Sequence, residues 1–155
     1  MPAGKLTQYL DAEKIPYQIA THPKAFTSQG VAQAAHVSGR EFAKCVILMT
    51  GDVKAIMAVL PGPRHLSLPL VSELLGQHVR LAREEEFASL FPGCELGAEP
   101  PFGNLYDLPV YVDESLTRDP EIVFNAGTHT ETIRMRYSDF ARLVKPVVGP
   151  ISKAD

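Results

Sequence analysis

Three groups of residues in this 155-residue chain have the types and spacing to do chemistry. Lys44 opens an otherwise apolar run, Lys44-Cys-Val-Ile-Leu-Met49. A lysine there either snorkels at a strand end or stands as a fixed cation at a pocket mouth, suited to a phosphate, a ribose or a developing negative charge. His129 sits in Gly127-Thr128-His129-Thr130, where a histidine is either a plain exposed turn residue or one that orients a polar substrate. The third group is Gly97-Ala98-Glu99-Pro100-Pro101-Phe102-Gly103. Its two prolines fix φ and remove two amide donors, while its terminal glycines allow sharp turns or close approach. Composition favours a rigid connector; the alternative is a wall that holds backbone groups against a ligand.

Other chemistries find less support. His22, His36, His65, His78 and His129 show no HxxxH or HExxH spacing, so no metal site is expected. Cys45 falls inside an apolar strand and reads as a filler; Cys94, in a loop, is the better thiol candidate but lacks a pKa-lowering motif. No Gly-x-Ser-x-Gly elbow, phosphate loop or dinucleotide fingerprint occurs, and no cofactor is expected.

The elements that must position these groups follow from patterning. Residues 5–14 read as an amphipathic helix and 17–21 as a strand. Thr27 or Ser28 caps a second helix that ends at Gly39. Ala43–Met49 and Lys54–Leu60 form a buried hairpin across Thr50-Gly51-Asp52. A helix spans Leu70–Leu75, a strand His78–Ala82, and a helix Glu84–Leu90 whose acids suit its N-terminal dipole. Strands follow at Pro109–Val112, Ile122–Asn125 and Thr132–Met135. Ser138 caps a last helix, and the tail at 149–155 is expected to fray. Without steady βαβ alternation this is an α+β fold: one domain over residues 1–155, with a mixed, mainly antiparallel sheet or partial barrel flanked by helices.

Bulk properties narrow the partners. Fifteen Lys and Arg against 18 Asp and Glu give a net charge of −3, which argues against DNA or other long duplexes but allows a local patch gripping one RNA end. The N-terminal residues lack a signal-peptide core, no run reaches transmembrane length, and two cysteines form no disulfide framework. A cytoplasmic protein with no membrane partner is expected.

Taken together and in order, these segments resemble the YbaK/ProX-type aminoacyl-tRNA deacylases, whose domain also occurs as the editing insertion of bacterial prolyl-tRNA synthetases. The resemblance runs from about Leu6 to Val144. It rests on His22-Pro-Lys-Ala-Phe-Thr, Val31-Ala, Gly39-Arg-Glu-Phe-Ala-Lys44, the Gly97–Gly103 segment, Tyr111-Val-Asp and Ile122-Val-Phe-Asn-Ala-Gly127-Thr-His129. It implies an editing site made by Lys44 and the GxxxP loop from Gly97 to Pro101, with His129 contributing. Ala98, Glu99, Pro100, Phe102, Gly103, Gly127 and Thr128 would line the substrate pocket.

The implied reaction is hydrolysis of the ester joining a wrong amino acid to a tRNA 3′ end, an activated bond that needs orientation and charge stabilisation more than a nucleophile. The implied substrate is tRNA(Pro) carrying Ala, Ser, Thr or Cys, with prolyl-tRNA synthetase as a possible partner. Cys45 stands where alanine-specific free-standing members carry asparagine, which leaves Ser and Thr open. Arg40, Arg64, Arg134 and Arg136 are candidate tRNA contacts. Two alternatives stand beside this reading: a non-catalytic module that binds tRNA or a synthetase, and a hydrolase of broader small acyl esters.

Overall fold

The two apolar runs on either side of Thr50–Lys54 pair along their full length. In the computed structural model, which describes residues 4–24, 30 and 41–154, β2 (Ala43–Thr50) and β3 (Ala55–Pro61) are antiparallel, from Ala43 opposite Pro61 to Met49 opposite Ala55. The Thr50 amide donates to the Lys54 carbonyl at 2.9 Å and closes the turn. Both strands are buried on both faces because they occupy the middle of a sheet. Alternation then sends Ile47, Met57 and Val59 into the larger core and Leu48, Ile56 and Ala58 into a smaller one.

That sheet continues antiparallel on one side to β5 (Val79–Leu81). On the other side it runs parallel through β6 (Val110–Asp113) to β9 (Val147–Gly149), giving the order β5-β2-β3-β6-β9. A second sheet, β1 (Gln18–Thr21), β8 (Glu131–Arg136) and β7 (Glu121–Thr128), is antiparallel throughout. An isolated parallel bridge from Phe42 to Val123 joins the start of β2 to β7. The architecture is the expected mixed α+β arrangement, and among the described residues its sheets do not close into a barrel.

Helix α1 (Gly4–Ala12) buries Leu6 and Leu10. Helix α2 (Leu68–Leu75) starts where the Ser67 side chain accepts from the Leu70 amide and stops at Gly76, left-handed at φ 74°. The acidic run makes only a four-residue helix, α3 (Glu84–Phe87), before a 3-10 turn at Ala88–Leu90. Helix α4 (Tyr137–Val144) is entered from Arg136, so Ser138 lies in its first turn and does not cap it. The helix expected between Thr27 and Gly39 falls, apart from Gly30, outside the described residues.

The C-terminal tail corrects the expectation of fraying. Gly149 lies opposite Asp113 in β9, and β10 (Ser152–Lys153) pairs antiparallel with β4 (His65–Leu66). The cause is a buried carboxylate. Asp113 accepts from the Ile151 amide at 3.0 Å, from the Ser115 amide at 3.1 Å and from the Ser115 hydroxyl, and Ile151 is wholly buried. Burial alone would raise the Asp113 carboxyl, but these hydrogen bonds outweigh it and hold it below its ordinary range.

Candidate active site

The loop after the Ala88–Leu90 turn reaches the end of β7 and is fastened there twice. The Glu95 amide donates to the Gly127 carbonyl at 2.7 Å, and the Gly127 amide donates to the Ala98 carbonyl at 3.0 Å. Gly127 can present both groups because a bulge between Asn125 and Thr128 turns it to φ 97°. Thr128 closes the same turn by donating to Glu131.

His129, 5% exposed, is no surface turn residue. Its amide donates to Glu95 Oε1 at 2.6 Å, and its Nε2 lies 2.8 Å from the Leu96 carbonyl. A carbonyl only accepts, so Nε2 carries the proton in that contact. The ring edge then packs beside Gly97, whose missing Cβ would stand 3.5 Å from Cε1. His129 is thus a strut under the loop.

Behind the prolines the loop is bolted to the core. Phe102, fully buried, meets Tyr9, Phe124 and Phe140 with ring centroids 6.4, 5.6 and 5.4 Å away. Gly103 lies so close to the Leu108 carbonyl and Val110 Cγ2 that an added Cβ would come within 2.7 Å of each. Ala98, Pro100 and Pro101 are buried with them. Phe102 and Gly103, expected in the binding wall, therefore sit behind it, because an aromatic ring following two fixed φ angles is carried into the core.

What faces outward is the front of the loop. Gly97 and Glu99, with Phe42, Ala43, Lys44, Cys45 and Asn125, line a cavity of about 150 Å³. Lys44, Gly97 and Glu99 were expected here; Asn125, Phe42 and Ala43 were not. Ala98, Pro100, Pro101, Gly127, Thr128 and His129 do not line it. The Lys44 ammonium donates to the carbonyls of Gly62 at 2.9 Å and Arg64 at 2.8 Å, so it also pins the turn leaving β3.

The loop's own amides are committed. Gly97 N–H donates to Glu99 Oε2 at 2.8 Å, Ala98 N–H donates to the Glu95 carbonyl at 3.0 Å, and the two prolines have none. Glu99 is 7% exposed. Burial pushes its carboxyl above the ordinary value, against hydrogen bonds from the Gly97 and Glu99 amides and the attraction of His129.

The thiols are not poised to attack. Burial, then the Glu99 charge and neighbouring Cys94, push Cys45 well above the ordinary thiol value. Cys94, 3.5 Å from the Tyr106 hydroxyl, is also raised by burial. Both are therefore protonated and weakly nucleophilic near neutrality. Among the described residues no three His, Cys, Asp or Glu side chains converge as a metal site would need.

The candidate tRNA contacts differ in charge balance. Arg134 pairs with Glu41 at 3.1 Å and Glu121 at 3.3 Å, and Arg136 with Asp139 at 3.0 Å. Arg64 donates to the Ser152 hydroxyl at 2.6 Å and stands 3.7 Å from Asp113. It lines, with Arg118, Pro61 and Pro63, a cleft of about 490 Å³ on the turn that Lys44 holds. Arg40 lies outside the described residues.

The described site is thus a small cavity walled by a rigid loop, with a fixed lysine beside it and no activated thiol. The profile of the aminoacyl-tRNA editing domain matches residues 22–143, and the chain belongs to that family. It is 27% identical over 147 residues to an Escherichia coli K12 protein named multifunctional Ser/Thr-tRNA deacylase ProXp-y, covering 92% of this chain and 87% of the relative. The fold is shared with the crystal structure of hypothetical protein APE2540, at a TM-score of 0.86 and 22% identity over 96% of this chain and 99% of the other. A candidate trans-editing enzyme for prolyl tRNA synthetase superposes at a TM-score of 0.85 and 24% identity, over 98% and 97% of the two chains. As a member of this family the chain carries an aminoacyl-tRNA editing domain. No helix among the described residues is long and apolar enough to cross a membrane.

Proposed function

We propose that this chain edits in trans, hydrolysing the ester between a small, wrongly attached amino acid and the 3′ end of a tRNA. Serine and threonine are the favoured amino acids, and tRNA(Pro) is a carrier. The observation that carries this reading is the cavity of about 150 Å³ lined by Cys45, Glu99 and Asn125, small and polar, in a chain of the editing family. The name of the 27%-identical relative favours Ser and Thr over Ala. So does Cys45, a polarisable residue on the wall.

In the proposed reaction, water attacks the ester carbonyl carbon and the tetrahedral oxyanion collapses. The ribose oxygen leaves and takes up one proton of the water, the other is released to solvent, and the free amino acid departs as its carboxylate. The Gly97–Glu99 wall sets where the aminoacyl group lies. Lys44, fixed by the Gly62 and Arg64 carbonyls, supplies positive potential beside the cavity for the oxyanion or terminal nucleotide. The committed amides of Gly97 and Ala98 are not oxyanion donors in this account. Arg64 and Arg118, in their shared cleft, are the favoured contacts for the acceptor-end phosphates.

A synthetase needs such a second site because a methylene or hydroxyl difference discriminates only about 10- to 200-fold in binding. The test is a panel of Ser-, Thr-, Ala-, Cys- and Pro-charged tRNA(Pro), with wild type and Lys44→Ala. Rapid loss of Ser and Thr, sparing of Pro, and a collapse of rate in Lys44→Ala are expected. Binding of tRNA without deacylation of any member would favour the non-catalytic module; undiminished activity in Lys44→Ala would reject the role given to that lysine.

A further inference from the structure

The cavity contains a buried acid that has no salt-bridge partner among the described residues, although His129 attracts it. Glu99 is 7% exposed, and none of the ion pairs formed among the described residues includes it. Lys44 shares the cavity wall but turns its ammonium to two backbone carbonyls. Glu99 receives hydrogen bonds from the Gly97 amide and from its own, whereas an ionised carboxylate offers about four acceptor sites. Buried carboxylates in folded proteins are paired with a cation or hydrogen-bonded to capacity. Glu99 is neither.

The rest of the wall has the same polarity. Gly97 and Ala98 have committed their N–H groups inside the loop, and Pro100 and Pro101 have none to give. Asn125, on the opposite strand, has a buried Oδ1 with no hydrogen-bond partner. This side of the cavity therefore offers acceptors, and the ligand group that fits it is a compact donor with positive charge. An aminoacyl ester carries such a group, its α-ammonium, one bond from the carbon that bears the ester carbonyl.

We propose that the Glu99 carboxylate anchors the α-ammonium of the aminoacyl ester, so that the site selects free aminoacyl groups over acyl groups that lack the amine. This rests on the reading of the cavity as the deacylation site. It assigns Glu99 a specificity role and leaves water activation to other groups. Pairing with the substrate's cation also offsets the burial that disfavours the ionised acid.

The experiment compares Ser-tRNA with the same tRNA esterified to β-hydroxypropionate, which is serine without its α-ammonium. Both are hydrolysed by wild type, Glu99→Gln and Glu99→Asp, and the intrinsic reactivity of each ester cancels in the variant-to-wild-type ratio. Glu99→Gln keeps an acceptor for the Gly97 amide. It is expected to lower kcat/KM for Ser-tRNA by about 10- to 100-fold, the effect of losing one charged hydrogen-bond partner. Its rate on the hydroxypropionyl ester should stay within about threefold of wild type. Glu99→Asp, which keeps the charge, should recover part of the preference for Ser-tRNA. Equal losses on both esters would overturn the ammonium role, as would a change confined to Ser against Ala. Failure of wild type on every aminoacyl-tRNA would remove the deacylase reading itself, an outcome distinct from an active enzyme indifferent to the amine.

Discussion

His129 Nε2 meets the Leu96 carbonyl at 2.8 Å, one residue before Gly97, and this contact sets the height of the loop over the cavity. The same residue's amide holds Glu95, so two ends of one turn grip one segment. Misplacing a substrate wall by about 1 Å can cost about 100-fold in rate. His129→Ala is therefore expected to lower single-turnover deacylation of Ser-tRNA by about 10- to 100-fold, with His129→Gln, which can still donate to Leu96, recovering part of it. Equal rates for wild type and His129→Ala would show that the loop keeps its position without the strut.

The two glycines that bound the loop should fail in different ways. Gly97 has φ 88° and room for a Cβ, so Gly97→Ala carries backbone strain of about 1–2 kcal/mol without a clash. Gly103 faces backbone and side-chain atoms at 2.7 Å, which have little freedom to yield. Melting and single-turnover rates measured together should separate them: Gly97→Ala loses activity with a modest fall in Tm, and Gly103→Ala loses Tm first. The reverse order would contradict the division of the loop into a working front and an anchored back.

This division also marks how far the sequence was legible. The stiffness of Glu99-Pro100-Pro101 followed from proline chemistry, and the hairpin of β2 and β3 followed from its apolar run. Which face of the loop meets the cavity did not, because it depends on where Phe102 lands among Tyr9, Phe124 and Phe140, residues distant in sequence. Asn125 left a trace, a polar residue inside Ile-Val-Phe-Asn-Ala, but it takes the Phe42–Val123 bridge, a contact between distant segments, to bring its strand beside Lys44. The ordered tail was hidden for the same reason: its anchor, Asp113, lies 38 residues before Ile151.

Glu99 should give the protein a measurable pH signature. Its folded carboxyl lies above the ordinary value of 4.5, raised by burial, so the folded state binds that proton more tightly than the unfolded chain. At and below 4.5 the difference costs little; stability is lost as pH rises through the raised value. His129, Cys45 and Cys94 act electrostatically on the same cluster, and Lys44 lines the same cavity, so the comparison must isolate Glu99. Thermal melting of wild type and Glu99→Gln from acid to neutral pH does so. The curves should converge near 4.5, and Glu99→Gln should become the more stable as pH rises. Parallel curves, or an advantage that grows toward acid, would contradict a raised carboxyl.

The central claim is that a small aminoacyl ester is hydrolysed in the cavity between Cys45 and Glu99. Cys45 lines the cavity with Lys44 and Glu99, so enlarging it narrows the space while every other lining residue and the His129 strut keep their identity. The decisive measurement is the single-turnover rate of Ser-tRNA deacylation by wild type and by Cys45→Leu, with melting confirming that both are folded. Wild type should be active and Cys45→Leu slower by about 100-fold or more, because the added methyl groups intrude on a space of only about 150 Å³ and displace the ester. A folded Cys45→Leu that hydrolyses Ser-tRNA as fast as wild type would place the reaction elsewhere.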